Sequence, residues 1–222
     1  MTSTPRVMTP QAVQEAMHRL MEGVPVAQNE GFPPEVNARL ATVQETAERN
    51  AGRVDPKRDQ AVVRLLDVAV KAPTATKRVL WLNKAADAFA QATAPHAACS
   101  DGCSHCCYIP VKISKLEARA LGRSIGREIV EPSLHQEVAI GGYRSPCTFL
   151  VDGRCSIYDS RPAVCRTHFN MDDDELLCRL ADDAAIPVPY ADSRLLAITS
   201  SLLDQDPANW ADIRQWFPPS NG

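Results

Sequence analysis

Eight cysteines occur in this chain of 222 residues, and all of them fall between Cys99 and Cys178. The first block reads Cys99-Ser100-Asp101-Gly102-Cys103-Ser104-His105-Cys106-Cys107. The second holds Cys147, Cys155 and Cys165, with seven and then nine residues between them, and Cys178 follows after twelve more. Thiolates three or four residues apart lie on one face of a helical segment and converge in a tight loop. Cys99, Cys103 and Cys106 are offset by four and three, and Cys107 lies four beyond Cys103. All four can therefore face one site. Adjacent Cys106 and Cys107 point in different directions, which leaves one of the pair open to serve a second metal or to remain a free thiol. Gly102 permits the tight backbone that such a loop requires.

Four thiolates suit zinc in tetrahedral geometry, or an iron–sulfur cluster. Soft sulfur argues against calcium and magnesium. The cysteines can supply two four-ligand sites, or one site with spare thiols. His96, His105 and His168 sit close to cysteines in sequence and can substitute as ligands, although a histidine more often has a structural place. A lone buried cysteine commonly acts as a small apolar side chain, a reading that suits Cys178 as well as a ligand role does. It does not suit four cysteines within nine residues. The acidic run Asp172-Asp173-Asp174 reads as a solvated loop or helix start rather than a cation site.

Composition narrows the setting. Hydrophobic residues make up 45% and charged residues 23%, enough to bury a core without cross-links. Net charge is −3 and the pI about 6.0, so no basic balance points to nucleic acid and no polybasic run to a membrane surface. Residues 1–10 lack the apolar core of a signal peptide, and no apolar stretch reaches membrane-spanning length. The expected location is the cytosol, where thiols stay reduced and clustered cysteines serve as metal ligands or redox centres rather than disulfides.

The elements that must position these cysteines are expected to be mainly helical. Thr9 and Pro10 open a helix over residues 11–22, closed by Gly23. A second helix spans residues 34–50, with Gly52 as terminator. Asp55 caps a third, whose Ala61, Val62, Leu65, Leu66 and Ala69 recur at helical spacing. A fourth follows Pro73, with Val79, Leu82, Ala86 and Phe89 as its apolar stripe. These stripes read as core rather than cofactor boxes. Within the cysteine region, residues 109–113 alternate like a short extended piece. Ser114-Lys115-Leu116-Glu117 is a capping box for a helix through about Arg127. Residues 141–146 read as loop, residues 149–152 as a short strand turning at Asp152-Gly153, and Arg161-Pro162 opens a helical turn. In the tail, helices are expected near residues 192–203 and 207–217, with the aromatic residues of 210–217 packed back on the body. The expected organisation is a helical segment over residues 1–95, a cysteine module over 96–180 with little β structure, and a helical tail over 181–222 packed on the body.

The cysteine blocks carry a resemblance. Cys103-Ser104-His105-Cys106-Cys107, followed by Val111-Lys112-Ile113-Ser114 and a helix, is similar to the start of the CxxCxxCC (YkgJ-type) cysteine-cluster family, described as zinc- or iron-chelating. The stretch from Pro146 through Cys147, Phe149, Leu150, Gly153, Cys155, Ile157, Tyr158, Arg161 and Pro162 to Cys165 and Arg166 resembles the family's second block nearly throughout. The similarity covers about residues 99–168. The gap Ser100-Asp101-Gly102 is one residue longer than the family's name implies. The resemblance implies metal chelation and little about a reaction.

The functional expectation is a metal-binding protein that holds zinc or an iron–sulfur cluster through Cys99, Cys103, Cys106, Cys107, Cys147, Cys155, Cys165 and Cys178, and serves an unidentified protein partner or process. An iron–sulfur oxidoreductase is the alternative, motivated by the Cys106-Cys107 pair and the surplus thiols. It lacks a Gly-x-Gly-x-x-Gly fingerprint, and no Ser/His/Asp arrangement is readable. Metal storage or delivery is the further alternative. Arg166 is a candidate to neutralise a thiolate-rich site, or to pair with a surface carboxylate. Tyr158 reads as packing.

Overall fold

Local signals account for the longest elements. The computed structural model describes residues 32–100, 102–132, 145–179 and 186–219. The helix expected over residues 11–22 lies outside them, as does most of the loop expected at 141–146. The Asp55 carboxylate accepts the Lys57 amide at 2.8 Å and starts α3 (Lys57–Lys71), which stops where Ala72 turns extended ahead of Pro73. The Thr74 hydroxyl accepts the Lys77 amide at 3.3 Å and starts α4 (Ala75–Thr93). Val62, Leu66 and Ala69 of α3 and Val79, Leu82, Ala85, Ala86 and Phe89 of α4 are buried, as their spacing predicts.

The expected second helix is two. α1 (Pro34–Leu40) and α2 (Val43–Ala51) are separated at Ala41 and Thr42. Thr42 has φ −122° and ψ −1°, and its hydroxyl donates to the Arg39 carbonyl at 3.4 Å, a local bond that competes with the helical ladder. Gly52 ends α2 in a right-handed conformation, not in the left-handed one usual for a terminating glycine.

In the cysteine region the extended piece is β1 (Lys112–Ser114), shifted towards α5 (Lys115–Ile125). The Ser114 hydroxyl accepts the Glu117 amide at 3.2 Å, and the Ser114 amide faces the Glu117 carboxylate. Gly126, at φ +68°, ends the helix, and the Arg127 amide returns to the Gly122 carbonyl at 2.9 Å. A Cβ on Gly122 would stand 2.5 Å from the Arg127 carbonyl oxygen, so glycine is required there too. β2 (Leu150–Val151) and β3 (Arg154–Cys155) form a hairpin whose turn puts Asp152 at φ +48° and Gly153 at φ +74°. Pro162 precedes α6 (Ala163–Thr167). α7 (Arg194–Leu203) matches the first tail helix.

The second tail helix is corrected. Residues 207–217 form a short 3-10 turn, then β4 (Trp210–Asp212), then α8 (Ile213–Trp216). β4 pairs antiparallel with β1, setting Ile113 opposite Ala211. Asp212 caps the helix: its carboxylate accepts the Arg214 amide at 2.8 Å, and Gln215 completes the capping box. Trp216 and Phe217 are buried at 1% and 0% exposure, so the tail does pack its aromatics back.

The fold is mainly α-helical with few short strands. Its apolar residues gather in three small cores. The first joins α3, α4 and α7 to Ala163 of α6. The second joins β1, α5, β4 and α8 to Phe149 and half-buried Cys147 and Ile157. The third joins α1 and α2 to Leu177 and Ile186. Each core thus grips a segment that carries a cysteine. No helix among the described residues is long and apolar enough to cross a membrane.

Glu117 ties two of these cores together. It is 4% exposed, accepts the Ser200 hydroxyl of α7 at 3.0 Å, and faces the Ala163 amide of α6 at 3.4 Å. Burial raises its carboxyl above the usual range, against the pull of those hydrogen bonds. Between the ordinary and the raised value the folded chain holds a proton that the unfolded chain releases, so stability falls as pH rises through that window. Urea midpoints measured across pH should show Glu117→Gln lacking this fall, with a slope differing from the wild-type by up to about 1.4 kcal/mol per pH unit. Parallel curves would remove Glu117 from the account.

Candidate metal centre

The turn at each of three cysteines is built in the same way. The Cys103 sulfur faces the backbone N–H of His105, the Cys147 sulfur that of Phe149, and the Cys155 sulfur that of Ile157. A backbone N–H two residues on thus favours each sulfur as the thiolate. Burial acts the other way and is the larger effect at all three, raising each thiol above its ordinary value. The same opposition holds at Cys99, where burial raises the thiol and the Asn170 amide, 3.5 Å from its sulfur, lowers it. Cys178 is pushed up to about 12 by burial and by the neighbouring Cys99 and Cys103. Cys165 is raised further, again chiefly by burial. Such sulfurs stay protonated until a cation offsets their charge.

The segments that deliver the cysteines are fixed to one another. The Cys147 amide donates to the Cys107 carbonyl at 2.7 Å, which joins the two sequence blocks directly. Cys155 stands opposite Leu150 in the hairpin. Cys106 and Cys107 lie in a 3-10 turn (His105–Tyr108), where the Cys107 thiol donates to the Cys106 sulfur. That bond lowers Cys106 and raises Cys107. Gly102 has φ +85°, the conformation that the loop from Cys99 to Cys103 needs glycine for.

Two arginines face the sulfurs. Arg161 opposes the charge of Cys106, Cys155 and Cys165, and its guanidinium lies 3.6 Å from the centre of the exposed Tyr158 ring. Arg214, held by Asp212 at 2.8 Å and donating to the Ser145 carbonyl at 2.6 Å, opposes Cys147. Arg166 is not one of them. It pairs with Asp87 at 2.6 Å and donates to the carbonyls of Arg161 and Asp159, so it holds the arginine that faces the thiols rather than facing them itself.

Sequence reasoning passed over Asn170. It is 1% exposed, its amide donates to the Cys99 sulfur, and its side chain donates to the Cys178 sulfur at 3.3 Å and to the Asp174 carbonyl at 2.9 Å. The acidic run is also not simply solvated. Asp172 is 1% exposed and accepts Arg39 at 2.8 Å, and Arg39 also pairs with Asp174 at 2.8 Å. Arg49 takes Asp173 at 2.6 Å, and Asn50 donates to the Met171 carbonyl at 3.0 Å. α1 and α2 thereby hold the loop that places Asn170. An asparagine two residues before an aspartate, its carbonyl oxygen accepting the Asp172 amide at 2.9 Å, is a turn signal readable from sequence, but its distant arginines are not.

His168 is half-buried, its ring centre 3.8 Å from that of Tyr190, and its buried Nε2 has no hydrogen-bond partner among the described residues. Burial pushes it down to about 4, so the imidazole is neutral. His105 supplies its backbone N–H to Cys103.

All eight cysteines are free thiols. Their donor chemistry suits a thiophilic cation, and the three N–H-backed turns suit thiolates. Among the described residues no group of three or more His, Cys, Asp or Glu side chains converges closely enough to hold a metal ion as placed. Ligation therefore calls for rotation of cysteine side chains, each about a single staggered torsion.

Arg39→Met should destabilise the chain by about 2–3 kcal/mol, since it leaves Asp172 buried without its cation; the figure sits low because water reaches Arg39. It should also speed alkylation of Cys99 and Cys178 while leaving Cys147 unchanged. Urea titration and mass spectrometry of the alkylated thiols would check both, and uniform acceleration at all eight would contradict the link through Asn170.

Residues 98–182 match the CxxCxxCC family model, whose description is "Putative zinc- or iron-chelating domain". Neither the comparison with curated proteins nor that with solved structures gave a match. The match spans both cysteine blocks and the Asn170 loop, and supports metal binding. The similarity to the CxxCxxCC family model thus covers residues 98–182, less than half of the chain.

Proposed function

We propose that this protein holds zinc or iron through the thiolates of Cys99, Cys103, Cys106, Cys107, Cys147, Cys155, Cys165 and Cys178, and works in a reducing compartment with a protein partner. The observation that carries the reading is the N–H-backed turn repeated at Cys103, Cys147 and Cys155, in two blocks far apart in sequence. A structural cysteine gains nothing from a hydrogen bond that favours its charged form; a ligand does. The organisation that goes with this reading is a helical segment over residues 1–95 and a tail over 181–222, both bracing the module at 96–180.

A bound zinc ion would supply a fixed positive charge and structural closure, and an iron–sulfur cluster would supply electron transfer. The chain's own residues shape what either could do. Arg161 and Arg214 reduce the negative charge that four thiolates leave on a divalent ion. An iron–sulfur oxidoreductase is the second reading, favoured by Cys106, an exposed residue whose sulfur is lowered by the Cys107 thiol and then by Arg161.

Protein purified without oxygen should carry about one or more equivalents of zinc plus iron. A visible spectrum on the same sample separates the two readings: brown protein that bleaches with dithionite holds a cluster, and colourless protein replete with zinc does not. Less than about a tenth of an equivalent of both metals together would overturn the proposal.

A further inference from the structure

Six of the eight sulfurs fall on two sides of the hydrogen-bonded pair Cys106 and Cys107. Asn170 touches Cys99 at 3.5 Å and Cys178 at 3.3 Å, so those two, 79 positions apart in the chain, share one polar neighbour. The Tyr190 side chain, 40% exposed, lies in electrostatic reach of four cysteines: Cys178, Cys106, Cys99 and Cys103. Tyr190 is placed there by its bridge to Asn170. On the other side, the Cys147 amide is bonded to the Cys107 carbonyl, and Cys155 sits in the hairpin that starts just after Cys147. Cys107 is influenced by Cys147 and Cys155, and Cys165 by Cys147 and Cys155, whereas the leading neighbours of Cys99 and Cys178 include none of these. Arg214 faces Cys147, and Arg161 faces Cys155 and Cys165 as well as Cys106; neither is among the leading influences on Cys99, Cys103 or Cys178. Cys106 reaches both groups, but three cysteines need it to make four.

We propose that the domain holds two separate four-thiolate centres, one formed by Cys99, Cys103, Cys106 and Cys178 and the other by Cys107, Cys147, Cys155 and Cys165, each taking a thiophilic cation such as zinc. The inference rests on the metal-binding reading above and goes beyond it in number and partition. The adjacent Cys106 and Cys107, whose sulfurs share a hydrogen bond, supply one ligand to each centre, so the two ions are neighbours. Asn170 and Tyr190 line the first centre. Arg161 and Arg214 flank the second, whose net negative charge they offset. The two centres therefore differ in charge environment.

The test loads the reduced full-length chain with zinc, and separately with cobalt(II), without oxygen, and reads stoichiometry by native mass spectrometry. The wild-type chain should take about two equivalents, the number two tetrahedral thiolate sites require. Cys99→Ser with Cys178→Ser should take about one, and shield Cys107, Cys147, Cys155 and Cys165 from alkylation. Cys147→Ser with Cys165→Ser should also take about one, and shield the other four. Saturation of the wild-type at one equivalent, or loss of all metal in both paired variants, would overturn the partition while leaving metal binding intact. A wild-type chain that takes no metal would instead overturn the reading beneath it. Should a paired variant fail to fold, graded chelation of the loaded wild-type decides: alkylation should appear in two groups of four, and any other grouping overturns the proposal.

Discussion

Thiolates repel one another, and gathering eight of them in one small region is unfavourable unless something positive lies between them. Every feature of the module answers to that constraint. Burial keeps the sulfurs protonated, as the raised Cys165 and Cys178 show. The backbone N–H groups of His105, Phe149 and Ile157 push the other way, towards the charged form. The balance is poised: a cation can displace the protons, and without one the chain need not carry eight buried charges.

The rest of the fold reads as the frame that maintains this proximity. The three cores are small, and none contains the cysteines as its centre. Instead Ala163 anchors the helix of Cys165 in one, Phe149 anchors the hairpin of Cys147 and Cys155 in another, and Leu177 anchors the turn of Cys178 in the third. Polar contacts then connect the cores. Glu117 joins α5 to α6 and α7, and Arg39 joins α1 to the Asn170 loop. Both involve a carboxylate that is almost fully buried, at Glu117 and Asp172, and such groups are tolerated only where each is well bonded. They are costly parts to keep for stability alone, and they make sense as devices that fix where cysteine segments sit.

What sequence reveals here divides by range. The cysteine spacing, the caps at Asp55 and Ser114, the Asp152-Gly153 turn and the stripes of α3 and α4 are local features, each decided within a few residues, and they were legible. The break at Thr42 was not, because a single side-chain bond to the Arg39 carbonyl competes with an otherwise acceptable helix. The tail helix over 207–217 was misread because β4 is a strand only by virtue of β1, about a hundred positions earlier. The site divides in the same way. Its cysteines announce themselves by type, but Asn170, Arg39 and Tyr190 are ordinary residues until folding brings them to sulfur or to each other. Arg166 had two readings, a thiolate neighbour or a partner for a surface carboxylate, and its pairing with Asp87 on α4 selects the second.

The claim that the thiols are ligands has a direct measurement. X-ray absorption at the edge of whichever metal the anaerobically purified chain retains reports the atoms bound to it. The account predicts a first shell of sulfur alone, at about 2.3 Å if the metal is zinc. A first shell dominated by nitrogen or oxygen would contradict it, because the cysteines would then be bystanders to a site made by other residues.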